Sequence, residues 1–239
     1  MRYAKAAHNL NARVIVEVRA PLVRLVQTMA GVAGVVARGE ALPALDLHCP
    51  IGSLPQVFGM TVDNVPLAAG YLRAPEEHLT RWRDILGPRS NPRIGLAWTG
   101  NPSHKNNHNR SIALSELVTL LSPDFAWVSL QKQLREGDTE ILAARGDLRD
   151  VSAEVGDFAD TAALCALMDV VVTVDTSVAH IAGALGKSVW IMLPFNADWR
   201  WMQQHSDTPW YASAKLYRQR APGDWVGVLA DVKDDLKKL

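Results

Sequence analysis

The chain has 239 residues, room for one large or two ordinary domains around a sizeable core. Its 25 Lys and Arg balance 25 Asp and Glu, so no global field favours nucleic acid or an anionic membrane. No apolar run reaches the ~20 residues of a membrane span, the N-terminus lacks the apolar core of a signal peptide, and Cys49 and Cys165 suit reduced, partly buried thiols better than a disulfide, so a soluble, cytoplasmic protein is expected.

Residues 2–10 read as helix and Arg13 to Val18 as a strand ending near Pro21. A second helix over Pro21–Met29, short strands at 34–37 and 46–49, and a helix over 53–59 follow. This βα alternation marks a parallel sheet with helices on its faces. A doubly wound half normally opens on a strand, whereas this chain opens on the helix that should come after one. Pro75 to Leu86 is a helix with acids in its first turn. The segment Gly87-Pro-Arg-Ser-Asn-Pro92 has two prolines and no large apolar side chain, so a domain boundary is expected there, between 1–87 and 93–239.

Strand and helix then alternate regularly. Strands are expected at 93–98, 125–130, near 148, at 170–174, at 188–193 and at 215–217; helices at 114–121, at 138–144, from an Asp160 cap to Met168, and from an Asp224 cap onward. In the last helix Trp225, Leu229, Val232 and Leu236 form the apolar stripe.

The most informative stretch runs from Val170 to Gly186. Val170 to Val174 is a β-branched run of the kind buried on both faces of a parallel sheet. It stops at Asp175-Thr176-Ser177, residues that favour a helix N-terminus. Val178, Ile181, Ala182 and Leu185 then form one apolar helical face. His180 lies ~200° from Val178 around that helix, off the core stripe. Such a strand-to-helix turn offers unpaired N–H groups and a positive dipole end, a ready phosphate site. Gly183 and Ala184 are small enough for another backbone or a ligand to approach.

Ligands of open α/β sheets bind beyond the carboxyl ends of the strands. After Trp98 lies a loop with Thr99, Gly100, four asparagines beginning with Asn101, two histidines, Lys105 and Arg110, and no acid. Its donors and cations suit a diphosphate. His104 and His108 are spaced i, i+4, but a zinc pair of that spacing needs a helix, and Gly100 and Pro102 argue for a loop, so no metal is expected. Lys132 and Arg135, after the next strand, either add charge to the same cleft or lie on plain surface. The loop from Pro194 to Trp201 is rich in aromatics that either stack on a base or sugar or pack the last helix. A phosphate-binding P-loop, a dinucleotide fingerprint, a nucleophile elbow, a C-x-x-C and an Asp-x-Asp pair are all missing from the sequence.

Gly95-Leu-Ala-Trp-Thr-Gly-Asn-Pro102 with Lys105 and Asn109-Arg-Ser111, Val128 to Lys132, Asp157 to Thr161 and above all Val174 to Gly186 resemble the ADP-heptose:lipopolysaccharide heptosyltransferase superfamily. The resemblance covers nearly the whole chain and is nearest to the bacterial branch in which tetratricopeptide repeats precede the transferase region. It implies an α/β GT-B fold of two Rossmann-like domains, the N-terminal one lacking its first strand. The N-terminal domain would take the acceptor, a saccharide or protein, and the C-terminal one a nucleotide-sugar. Asp175 would bind the donor sugar, Thr176 and Ser177 would cradle the diphosphate opposite Thr99, Gly100 and Lys105, and His180 would line the cleft. Transfer would need neither metal nor cofactor. The family's general base lies in a segment that would align upstream of Met1. Two outcomes are therefore expected: a metal-independent glycosyltransferase region, or a module that binds nucleotide-sugar, or serves as a scaffold, without turnover. A sheet short of a strand would also leave an edge open to self-association.

Overall fold

The computed structural model describes residues 1–66 and 69–239. Ten helices and eight strands alternate along them. The first part carries α1 (Ala4–Asn9), β1 (Ile15–Val18), α2 (Val23–Gln27), β2 (Gly34–Ala37), α3 (Leu54–Val57) and α4 (Glu76–Leu86). The rest carries β3 (Arg93–Ala97), α5 (Asn107–Arg110), α6 (Leu114–Leu117), β4 (Ala126–Ser129), α7 (Asp138–Ala144), β5 (Leu148–Arg149), α8 (Phe158–Ala166), β6 (Val170–Val174), α9 (Ser177–Ala184), β7 (Val189–Leu193), β8 (Ala214–Arg218) and α10 (Trp225–Leu236).

All strand pairs are parallel. β1 and β2 make a two-stranded sheet, Ile15 opposite Gly34, and the other six strands run in the order β5-β4-β3-β6-β7-β8. The chain winds outward from β3 to β5, returns, and winds the other way from β6 to β8. The strand order therefore reverses between β3 and β6, the place where a doubly wound sheet opens a crevice at its carboxyl edge.

Side-chain alternation divides the core between the two faces of that sheet. Ile94, Leu96, Val170, Val172, Val174 and Met192 face α6 and α10, while Ala97, Val128, Val171, Val189 and Ile191 face α8 and α9. Each valine, leucine, isoleucine and methionine among them, fully withdrawn from water, contributes roughly 1.5–3 kcal/mol. Gly95 lies where a Cβ would come within 2.6 Å of Leu130 and 2.9 Å of Met168, so the strand can pack there only without a side chain.

The first part docks on the α8–α9 face. Trp82 and Leu86 of α4 and Leu25 of α2 are buried in its core. Asp160 of α8 accepts hydrogen bonds from His78 Nδ1 at 2.7 Å, Trp82 Nε1 at 2.9 Å and Arg81 at 3.0 Å. Tyr71 N and Leu72 N donate to Ala184 O at the end of α9. There the backbone at Ala69 and Gly70 comes so close to Gly186 (φ +72°) that a side chain at 186 would strike it. This close approach falls at Gly186, just past α9; at Gly183 the space is taken by the Tyr211 ring instead.

Four local expectations are corrected. Residues 46–49 are not a strand: they lie in an exposed irregular run between Pro43 and Pro50, with Leu47 90% exposed, and pair with no strand among the described residues. Helix α8 is capped by Asp157, whose side chain accepts from Ala159 N; Asp160 is the reciprocal residue of the capping box. The loop after β3 contains a helical turn, α5, introduced by the bonds Ser103 N to Asn101 Oδ1 and Asn109 Nδ2 to Asn106 Oδ1. Of the two thiols, Cys165 is buried and Cys49, expected to be partly so, is exposed; neither is in a disulfide. No helix of the described residues is long and apolar enough to cross a membrane.

Candidate functional site

A cleft of about 450 Å³ opens at the carboxyl ends of β3 and β6, where the strand order reverses. Asp175, Thr176, Ser177 and His180 form its wall at the N-terminal end of α9; His104, Asn106 and Arg110 enter from the β3 side; Pro194, Asn196, Ala197, Asp198 and Arg200 enter from the loop after β7.

The wall at α9 follows from local chemistry. Thr176 is extended (φ −137°, ψ −179°), and its hydroxyl accepts from Val178 N at 3.1 Å, so it is the N-cap. Geometry leaves the other N–H groups of the first turn without intrahelical partners. Ser177 lines the cleft beside them, so the positive end of the helix opens onto it.

Arg110 ties the two sides together. Its Nη1 donates to Asp175 O at 2.8 Å, and its Nε donates to Asn107 Oδ1 at 3.4 Å. Gly100 lies beneath it: a Cβ there would come within 2.9 Å of Arg110 Cζ and 3.0 Å of Asn107 Oδ1. Gly100 therefore serves the site by making room for a cation. Arg200 is the second guanidinium. Its Nη1 bonds Asp198 Oδ1 at 2.8 Å, and the same carboxylate accepts its backbone N–H at 3.0 Å.

His180 lies against the Trp201 ring, with centroids 5.2 Å apart and 14° between planes. Its Nδ1 is 3.0 Å from the Tyr211 hydroxyl and its Nε2 is 4.0 Å from Asp175 Oδ1. Burial pushes its pKa below the usual imidazole value; Asp175 opposes that shift, and Arg200 and Arg110 add to it. His180 is thus a neutral group in the cleft near pH 7. Tyr211 is held by α9 itself, because Gly183 leaves the space its ring occupies.

The residues expected at the site separate into three sets. Arg110, Asp175, Thr176, Ser177 and His180 all line one cleft. Thr99, Gly100 and Asn101 shape its β3 side from behind: Thr99 is buried and bonded to Gln131 and Ser111, and Asn101 accepts from Ser103 N. Lys105 is exposed and outside the lining. Lys132 is elsewhere altogether, its ammonium held by the carbonyls of Val155 and Gly156 before α8. Of the two places open to Lys132, the cleft and the surface away from it, the side chain takes the second, because two carbonyl acceptors lie within its reach there.

Four residues at or beside the cleft lie outside the expected set. Gln131, buried after β4, accepts from Trp98 N and Thr99 N and donates to Thr99 O at 3.1 Å, which fixes the start of the β3 loop. Asp198 and Arg200 sit in a loop read for its aromatics alone; a cation just past the carboxyl end of β7 was the available signal. His104, weighed only as a metal ligand, lines the cleft while His108 lies exposed on α5. Among the described residues no group of three or more His, Cys, Asp or Glu is arranged to hold a metal ion.

No protein-family model matches the chain. Over its full length the structure is similar to E. coli ADP-heptose LPS heptosyltransferase II, with a TM-score of 0.64 at 13% identity, covering 99% of this chain and 93% of that one. The chain has the fold of a GT-B heptosyltransferase. A wall teichoic acid polymerase, TagF, gives a TM-score of 0.39 over 68% of this chain and 40% of its own, at 18% identity, too low to bear on the fold. In sequence the chain is similar to protein FlbA of Caulobacter vibrioides, 25% identical over 208 residues, 80% of this chain and 33% of that protein. It thus spans about a third of the length of the curated relative it matches.

Proposed function

We propose that the chain is a glycosyltransferase region that moves a sugar from a nucleotide-sugar to an acceptor, a saccharide or a protein, without a metal ion. The observation that carries this reading is the cleft at the β3–β6 reversal, where the open N-terminal end of α9 and two guanidiniums, Arg110 and Arg200, converge. In this reading residues 93–239 hold the donor and residues 1–87 present the acceptor. The acceptor oxygen attacks the anomeric carbon, and the bond from that carbon to the diphosphate breaks. The electron pair leaves on the diphosphate, where the α9 N–H groups and Arg110 stabilise it. Asp175 binds the donor sugar, and neutral His180 offers a hydrogen bond. The acceptor proton must pass to a base. Neither cleft acid takes that role, since Asp198 is committed to Arg200 and Asp175 faces His180. In this reading the chain belongs, by its motifs, to the tetratricopeptide-repeat-associated bacterial branch, and it works in the cytoplasm.

Calorimetry with a panel of nucleoside diphosphates and their sugars, in buffer containing EDTA, tests the binding half. Micromolar affinity for at least one is expected, and no binding up to millimolar concentration would refute the reading. Product detection with saccharide and peptide acceptors tests the other half. Tight binding with no transfer and no hydrolysis would instead identify a non-catalytic nucleotide-sugar module.

A further inference from the structure

Arg2 is far from the cleft in sequence and nearly inaccessible to water, with 6% of its surface exposed. Its Nη1 donates to Pro66 O at 2.9 Å and its Nη2 to Trp210 O at 2.8 Å. Three rings enclose the guanidinium: Tyr71, Trp210 and Tyr211 have their centroids 5.1, 5.6 and 5.4 Å from Arg2 Cζ. Tyr211 in turn fills the space above Gly183 and places its hydroxyl 3.0 Å from His180 Nδ1. A buried cation with two carbonyls and three π-faces is thus one side chain removed from the cleft.

We infer that Arg2 is a positioning residue for His180: by fixing Tyr211 it makes the phenol donate to Nδ1, and so sets the imidazole to present an Nε2–H to the cleft. A protonated phenol can donate to Nδ1 or accept from it, and the Arg2 cation against the Tyr211 ring selects donation. Burial, with Tyr71 adding to it, pushes the Tyr211 pKa well up although Arg2 opposes that shift, so the hydroxyl keeps its proton. A neutral imidazole has one donor and one acceptor nitrogen, and the bond made by one decides the other. With Nδ1 accepting, Nε2 carries the hydrogen and points to the side of Asp175 and the cleft. A cation against the Tyr211 ring also polarises its O–H outward and strengthens that donation. Arg2 touches neither ligand nor reacting atoms in this scheme. Its influence on a bound diphosphate, which rests on the function proposed above, passes through Tyr211 and His180.

The test uses the ligand-free full chain, labelled with nitrogen-15, at a pH of about 8 where an imidazole is neutral. Imidazole nitrogen–proton correlation spectra, with His180 assigned by its loss in His180→Gln, should show the pure Nε2–H form in the parent protein. Arg2→Gln and Tyr211→Phe should each give a mixture of tautomers, and Arg2→Lys a smaller admixture, since lysine keeps the charge but not both carbonyl contacts. An unchanged Nε2–H pattern in Arg2→Gln overturns the inference, whatever its melting temperature does. If Arg2→Gln does not fold, the same unchanged pattern in Arg2→Lys overturns it. Affinity for ADP should fall roughly three- to tenfold in Arg2→Gln and recover in part in Arg2→Lys. Should ADP and other nucleoside diphosphates not bind the parent protein, the proposed function fails, while the spectra still decide the role of Arg2.

Discussion

Replacing Gly183 with alanine sets two effects of known sign against each other. In an exposed helix interior the change would stabilise by about 1 kcal/mol, because alanine is the better helix former. Position 183 is not exposed. A Cβ there would meet the Tyr211 ring, 2.6 Å from Cδ1 and 2.8 Å from Cδ2, against an optimum of ~3.5–4.0 Å for carbon pairs. The ring would have to retreat by about 1 Å, but Arg2 covers it and its hydroxyl is bonded to His180. Overpacking of this kind costs ~1–3 kcal/mol, and losing the Tyr211–His180 bond adds about 1 kcal/mol. The steric term wins, and Gly183→Ala should destabilise by ~1–3 kcal/mol, a fall in Tm of roughly 2–12 °C for a chain of this size. Urea denaturation with an unchanged m-value checks it. Gly146→Ala is the control, since nothing lies within 4 Å of a Cβ at that position. Equal shifts in the two variants, or a stabilised Gly183→Ala, would refute the packing argument.

Asp160 offers a second, larger test. Burial alone would raise its pKa, yet His78, Gly156 N and Trp82 outweigh it and hold the carboxyl below the usual range. The stability it contributes is therefore present above the unfolded carboxyl pKa of ~3.9 and lost as pH falls through the depressed folded value. Asp160→Ala leaves His78 and Trp82 donors buried without an acceptor and should cost ~3–5 kcal/mol, read from urea midpoints at pH 7. At the cleft, Arg110→Ala should weaken nucleoside diphosphate binding ~10- to 100-fold, whereas Lys105→Ala and Lys132→Ala should each stay within about twofold; calorimetry with all three separates the cations that line the cleft from those that do not. For the thiols, burial pushes Cys165 up to about 12 and encloses it, while Cys49 is exposed. A thiol reagent should modify one cysteine promptly in the native protein and the second only with unfolding; rapid modification of both would contradict the packing of α8.

How far each part was legible depends on the range of the interactions that fix it. Val170 to Val174, the Thr176 cap and the stripe from Val178 to Leu185 are local patterns, and the sequence by itself determined the strand, the helix and the turn between them. The stripe Trp225, Leu229, Val232 and Leu236 was legible for the same reason, since a helical face is set by spacing alone. The composition of residues 46–49 misled because a strand forms only beside a partner, and among the described residues none pairs with them.

Only the tertiary structure decided which donors meet. Arg110 reaches the cleft through a bond to Asp175 O, 65 residues away, and Lys132 is drawn off by carbonyls 23 and 24 residues on. Composition counts the two as equal cations; a long flexible side chain follows whichever acceptors the folded backbone brings within reach. Arg2 carries no signal in its own neighbourhood, and its meaning comes from Pro66, Tyr71, Trp210 and Tyr211, gathered by packing the first part of the chain against the α8–α9 face. Periodicity writes the elements into the chain, but the direction of a charged side chain in a loop is settled by contacts that exist only once the elements have packed.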